Sequence, residues 1–298
     1  MLKHIVIVFI ALLSLQSCED FFATTLQVDP PAHTDQMVVH SYLSAGDSSI
    51  FVAVGKSIAL LENDITLDQL SDAEVEVFQG GQSLGQLVQR DPAVNSFYNY
   101  ELLFDQPLRD LGTDFELRVN HPNFPNTTAR QNLPTKVPPR ELKYLENAGI
   151  NDFGERVAGM EVIFDDPPGE RNFYEISVLF VDTFYNEFFV YNEGISTLDP
   201  TISSGANYGS LIFDDSNFDG KEYVLRVEFQ SSGVAPGAYL VSWNTISESQ
   251  FLYSRSIQAY YSAQDSGPFA EPVSLYSNVD NGLGIFGAAN GDFYPLEE

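Results

Sequence analysis

Asp114-Phe115-Glu116-Leu117-Arg118-Val119-Asn120 carries a two-residue alternation of apolar and polar side chains. Phe115, Leu117 and Val119 alternate with Glu116 and Arg118, so an extended chain puts the apolar side chains on one face and the charges on the other. That pattern is a strand with one buried face. Residues 37–42, 49–55, 73–79 and 98–104 are likewise short, rich in β-branched or aromatic residues and bounded by turn formers. Gln79-Gly80-Gly81-Gln82 stands where a hairpin needs positive φ. Short strands with regular turns predict a β-sandwich over 37–135.

Pro134, Pro138 and Pro139 interrupt the pattern, and 133–140 is the best candidate domain boundary. The remainder, 140–298, is again β-rich, with strands expected at 159–164, 172–181, 187–191, 222–230 and 238–244. One segment differs. Ser247-Glu248-Ser249-Gln250 fits a capping box, with Ser247 as N-cap and Gln250 at N3. After it Tyr253, Ile257, Tyr260 and Tyr261 recur at helical spacing, and Ser266-Gly267-Pro268 stops the run. The expectation is one substantial helix over 247–264, its aromatic stripe packed on a sheet. The fold class is therefore mainly β: a sandwich followed by a second β-rich domain with one helix.

The N-terminus carries an address. Lys3 and His4 precede an apolar run from Ile5 to Leu15, shorter than the ~20 residues of a spanning helix. Leu15-Gln16-Ser17-Cys18 follows and resembles a lipobox, which makes 1–17 a cleavable signal peptide and Cys18 the lipidated residue. Cys18 is the only cysteine, so it has no disulfide partner within the chain. At about 0.8 kcal/mol per buried methylene, two or three acyl chains anchor a protein durably. Residues 18–36, with a Pro-Pro pair and no sustained period, read as a lipidated tether. Glu19 and Asp20 directly after the cysteine resemble the export signal that sends Bacteroidota lipoproteins to the cell surface.

Composition excludes some partners. The formal net charge is −28, from 42 acidic and 14 basic residues. Such a surface repels nucleic acid and anionic lipid, and no basic patch offsets it. Hydrophobic content of 44% with 19% charged describes a folded globule. Aromatic residues make up 13% of the chain, most densely at Phe180, Phe184, Tyr185, Phe188, Phe189 and Tyr191, and are good material for protein interfaces or sugar stacking.

Several motifs suggest chemistry. Gly282-Leu283-Gly284-Ile285-Phe286-Gly287 matches G-x-G-x-x-G, but too little chain follows for the helix and acidic partner of a dinucleotide site. A strand with close backbone packing explains it better. Asp215, Asn217 and Asp219, with Gly220, copy the first half of a calcium loop. Position 12 is Arg226 rather than Glu, and a tight Asp-Gly turn accounts for the same residues. Asp165, Asp166 and Glu170 form a second acidic cluster, the first carboxylates to test for acid–base work, although Pro167-Pro168-Gly169 marks a solvated turn. His33, His40 and His121 lack metal spacing, and no nucleophile elbow occurs. Asn126-Thr127-Thr128 fits a glycosylation sequon and reads as a polar loop. No cofactor and no catalytic residue is expected.

A resemblance emerges from these parts. Phe164 to Glu170 with Asn172-Phe173-Tyr174, then Phe218-Asp219-Gly220-Lys221, Pro268-Phe269-Ala270-Glu271-Pro272, Ser277-Asn278-Val279 and Asn281 to Gly287 resemble the Bacteroidota lipoproteins grouped as domain-of-unknown-function family 4249. The resemblance implies an immunoglobulin- or transthyretin-like N-terminal part and a β-rich C-terminal part. It also implies an outer-membrane protein encoded beside TonB-dependent receptors, with no catalytic residues to carry over. The expected function is a non-enzymatic, surface-exposed accessory or substrate-binding partner of a TonB-dependent transporter. The alternatives are an extracellular polymer hydrolase and an adhesin or structural envelope protein.

Overall fold

The alternation at 114–120 is realised as a strand with Phe115, Leu117 and Val119 all buried. The structure, a computed structural model, describes residues 33–58, 68–91, 96–109, 112–150, 154–184, 187–205, 209–229, 239–265 and 273–297. The signal segment, Cys18, Glu19, Asp20, most of the tether, and the 266–268 helix stop lie outside the described residues.

The chain runs through β1 (Met37–Ser44), β2 (Ser49–Lys56), β3 (Asp68–Gln69), β4 (Glu74–Gln79), β5 (Gln82–Gln86), β6 (Val88–Gln89), β7 (Tyr100–Leu103), β8 (Asp114–His121) and β9 (Phe124–Asn132). Then come β10 (Glu141–Ile150), β11 (Arg156–Asp165), β12 (Phe173–Phe184), β13 (Glu187–Glu193), β14 (Ile195–Ser196), β15 (Ser203–Ser204) and β16 (Ser210–Asp214). The last elements are β17 (Glu222–Phe229), β18 (Tyr239–Ile246), the helix α1 (Glu248–Asp265), β19 (Val279–Asp280) and β20 (Leu283–Pro295).

These strands form three sheets. The central one has eleven strands, ordered β15-β16-β12-β18-β20-β1-β2-β7-β6, with β13 also on β12 and β3 also on β2. A five-stranded sheet, β19-β9-β8-β4-β5, and a four-stranded sheet, β10-β11-β17-β14, complete the set. β20 is the keystone. Its first half pairs in parallel with β1, from Val38↔Leu283 to Ser44↔Ala289, and its second half pairs antiparallel with β18.

The central sheet carries a core at each end. Val39, Val52, Phe115 and Leu117 share the first core with Phe286 and Ala288 of β20. Phe164, Tyr174, Val227 and Trp243 lie in the second, against the four-stranded sheet. Both are sandwich cores, with alternate residues of each strand turned inward. The first draws on residues up to Leu133 and the second begins at Val137, but Val279, Phe286 and Ala288 cross back to the first.

The proline-rich stretch between the cores is fastened to the central sheet. The Trp243 indole N–H donates to the Val137 carbonyl at 2.7 Å, the Val137 N–H to Thr245 Oγ1 at 3.0 Å, and Asn290 Nδ2 to the Pro134 carbonyl at 2.9 Å. Prolines suit this path, because an extended strap needs few ladder N–H groups of its own.

Two expectations are corrected. Asn126-Thr127-Thr128 is not a loop: it lies inside β9, with Thr127 buried and its hydroxyl donating to the Pro125 carbonyl at 3.1 Å. A polar residue hides in a sheet once its donor is paired. The aromatic stripe of the helix is also displaced. Phe251 and Tyr253 are buried, but Tyr260 and Tyr261 are exposed, because only the first turns of α1 dock on the sheet. Phe251 joins Phe173, Ile212 and Ile246 in a small third core there. Ser247 caps the helix as expected, accepting from the Gln250 N–H at 3.3 Å. The Gln250 side chain does not close the capping box and donates instead to Glu175 at 3.1 Å.

The glycine motif is structural. Gly284 has φ +118°, and a Cβ there would lie 2.0 Å from the Val39 carbonyl oxygen. Only glycine brings β20 this close to β1.

Candidate functional site

Asp165 pairs with Glu222 across β11 and β17, and Phe173 pairs with Asp214 across β12 and β16. The connections 166–172 and 215–221 therefore run side by side, each crossing between the four-stranded and the central sheet. This brings together one residue from each of the two acidic motifs. Carboxylate oxygens of Asp166, Asp215 and Asp219 all lie within 4.8 Å of one another, and Asp166 and Asp215 are buried.

Each carboxylate reaches across to the other connection. Asp166 accepts from the Gly220 N–H at 3.0 Å, Asp219 from the Gly169 N–H at 2.8 Å, and Asp215 from the Asn172 N–H at 2.8 Å. Asp166 also accepts from the Tyr174 hydroxyl, whose ring is in the second core. The backbone follows the same scheme: the Asp166 N–H donates to the Lys221 carbonyl at 3.0 Å and the Asp215 N–H to the Asn172 carbonyl at 3.2 Å. Gly220 has φ +67°, and a Cβ there would meet Pro168 at 2.7 Å, so this close pass requires glycine.

The electrostatics follow from crowding. Burial pushes the Asp166 carboxyl above the usual range, the nearby Asp215 and Asp219 add to this, and the bonds from Tyr174 and Gly220 oppose it. Burial, and then the bond to Asp166, push the Tyr174 phenol upward. An all-oxygen anionic set of this kind attracts hard cations, yet three carboxylates supply only part of the six to eight oxygens calcium takes. Each of them already holds an N–H of the opposite connection.

The remaining sequence candidates lie apart from this group. Asn217, second in the calcium-loop reading, is exposed. Asp165, next to Asp166, is exposed and paired with Arg140 at 3.2 Å, as alternation at a strand end demands. Glu170 is exposed. His40 is packed edge-on between Phe97 and Tyr253, and burial lowers it to about 4. Asn172 and Tyr174 are partners that composition alone did not single out. Their signal is position: each lies just beyond the acidic turn, where β12 begins.

The described side chains of the aromatic cluster, Phe180, Phe189 and Tyr191, separate into core and surface. Phe180 packs on Tyr239 and stacks with Tyr191, and Phe189 stacks with Tyr191 on the adjoining β13. Phe189, Val190 and Tyr191 are 36%, 57% and 52% exposed, an apolar surface at the margin of the central sheet. Tyr185 and the side chains of Phe184 and Phe188 lie outside the described residues.

No curated protein matches the chain. One family model does, and it matches residues 23–292, nearly the whole length. That span covers the first sandwich core, all of the second but Leu296, the carboxylate-stapled connections and most of the keystone strand, so the chain belongs to the family described as Domain of unknown function (DUF4249).

Proposed function

We propose that this is a lipid-anchored outer-membrane protein of Bacteroidota type, displayed on the cell exterior, that acts as a non-enzymatic binding partner of a TonB-dependent transporter. The observation that carries the reading is the exposed apolar run Phe189-Val190-Tyr191 on a hairpin braced by the second core. Aromatic side chains on a rigid scaffold supply contact area at low entropic cost. The lipobox at Cys18 supplies the anchor, and Glu19 and Asp20 the surface address. The acidic motifs favour this reading over a hydrolase, since Asp166, Asp215 and Asp219 act as staples and Asp165 is engaged elsewhere.

The test is affinity purification of the tagged full-length protein from detergent-solubilised outer membranes, with bound proteins identified by mass spectrometry. Stoichiometric recovery of a TonB-dependent receptor is expected, and Cys18→Ala is expected to abolish membrane association. Recovery of the lipoprotein alone, under conditions that preserve other envelope complexes, refutes the partnership.

A further inference from the structure

The edges of the three sheets are not treated alike. A strand at an edge presents unpaired backbone groups, and folded proteins blunt such edges with very short strands, bulges or charges. Here β6, β14, β15 and β19 are two residues each. β5 is polar, and its pairing is broken by a register shift between Val77 and Phe78. β10 has a shift between Leu145 and Gly149 and carries Glu141, Lys143 and Glu146.

β13 keeps charge only at its ends, Glu187 and Glu193, and has neither a two-residue span nor a bulge. Its seven residues, Glu187-Phe188-Phe189-Val190-Tyr191-Asn192-Glu193, pair with β12 without a shift, from Phe184↔Glu187 to Val178↔Glu193. They include no lysine, arginine or proline. Among the described residues β12 is the only strand with which β13 pairs. Its exposed residues are Phe189 and Tyr191 on one face and Val190 with Asn192 on the other.

We infer that the outer edge of β13 accepts an extended strand from a protein partner by β-augmentation. Backbone bonds give such docking its affinity, and alternate side chains give it specificity. The occupant alternates β-branched or aromatic residues, so that one face covers Phe189 and Tyr191 and the other covers Val190. It carries lysine or arginine at its ends. Charge argues for a different protein over a second copy: self-pairing brings together two molecules of formal charge −28, whereas a basic strand is drawn to this one. This deepens the partner-binding reading and rests on it.

The test uses a labelled peptide of β13 length, alternating valine and threonine with lysine at each end, titrated into the purified full-length protein in detergent. Saturable binding is expected. N-methylation of alternate backbone nitrogens, which leaves the charge unchanged, is expected to weaken it by about tenfold or more, since lost ladder bonds contribute roughly 1 kcal/mol each. Val190→Lys in the protein should weaken binding similarly, and Val190→Thr should leave it nearly intact. No saturable binding, or equal binding of the N-methylated peptide, overturns the inference; so does a dimer that Val190→Lys dissociates, since the occupant is then a second copy. Membrane affinity purification, run alongside, decides separately whether a transporter is the partner.

Discussion

Removing the Asp166 carboxyl separates a structural staple from a charge-dependent site. Asp166→Ala deprives the buried Tyr174 hydroxyl of its acceptor, at about 1–3 kcal/mol for an unsatisfied buried group. It also frees the Gly220 N–H, which lies at an exposed residue where water compensates most of the loss. Relief of a crowded, desolvated carboxylate offsets part of this, leaving a net loss of about 1–3 kcal/mol. Asp166→Asn behaves differently. Its carbonyl oxygen can accept from Gly220 and its amide can donate to the Tyr174 oxygen, so it is expected within about 1 kcal/mol of the parent. The sign with pH is fixed by the raised carboxyl. The folded protein holds this proton more tightly than the unfolded chain, so stability declines as pH rises from the ordinary carboxylate range through the raised value. The asparagine variant lacks that decline and gains on the parent as pH increases. Urea unfolding across acid to neutral pH reads both effects, and the alanine variant should melt about 2–10 °C lower at neutral pH. Equal destabilisation by alanine and asparagine, or an asparagine variant that loses ground as pH rises, would refute the staple and show that the charge itself is required.

Gly284→Ala should destabilise by about 2 kcal/mol or more, through strain at positive φ and a Cβ driven into the Val39 carbonyl; unaltered melting would disprove the close approach. His40 stays neutral in the folded protein down to about 4, against 6.5 in the unfolded chain, so stability should fall as pH drops through that window. The loss is about 1–3 kcal/mol after discounting for the partly exposed ring, and His40→Phe should flatten that part of the pH profile in urea titrations.

Local pattern was legible in the sequence wherever one face of a strand meets a core. Phe115, Leu117 and Val119 alternate because β8 is half-buried, and the expected strand ends fall within a few residues of those observed. β9 escaped because Thr127 and Ala129 occupy its inward face, and small or polar side chains leave no hydrophobic signature when their bonds are satisfied internally. The helix was visible from its cap, but the stripe misled, since periodicity does not say how many turns a sheet will cover. The carboxylate cluster was legible only in halves. Asp166 and Asp215 are far apart in the chain, and only the pairing of β11 with β17 and of β12 with β16 makes them neighbours. Pairing of that kind is a non-local property that no window of sequence contains.

The keystone strand makes a demand on the whole chain. Residues 37–135 look like an independent sandwich, yet their core includes Val279, Phe286 and Ala288, delivered from the far end of the sequence. β20 also covers one edge of β1 over seven residue pairs, and β19 covers β9 at Val279↔Ala129. Loss of a fully buried phenylalanine alone costs about 3–5 kcal/mol, a large fraction of the roughly 5–15 kcal/mol that holds a domain together. A fragment of residues 33–135 is therefore expected to be aggregation-prone or molten, with an open edge on β1. The same fragment with residues 273–298 fused ahead of β1 through a flexible linker is expected to unfold cooperatively. Circular dichroism and urea titration of the two fragments distinguish these outcomes. Cooperative unfolding of the short fragment alone would show that β20 is an accessory to the first sandwich. The expected failure would mean that the first half of the chain cannot complete its core until the last strand has arrived.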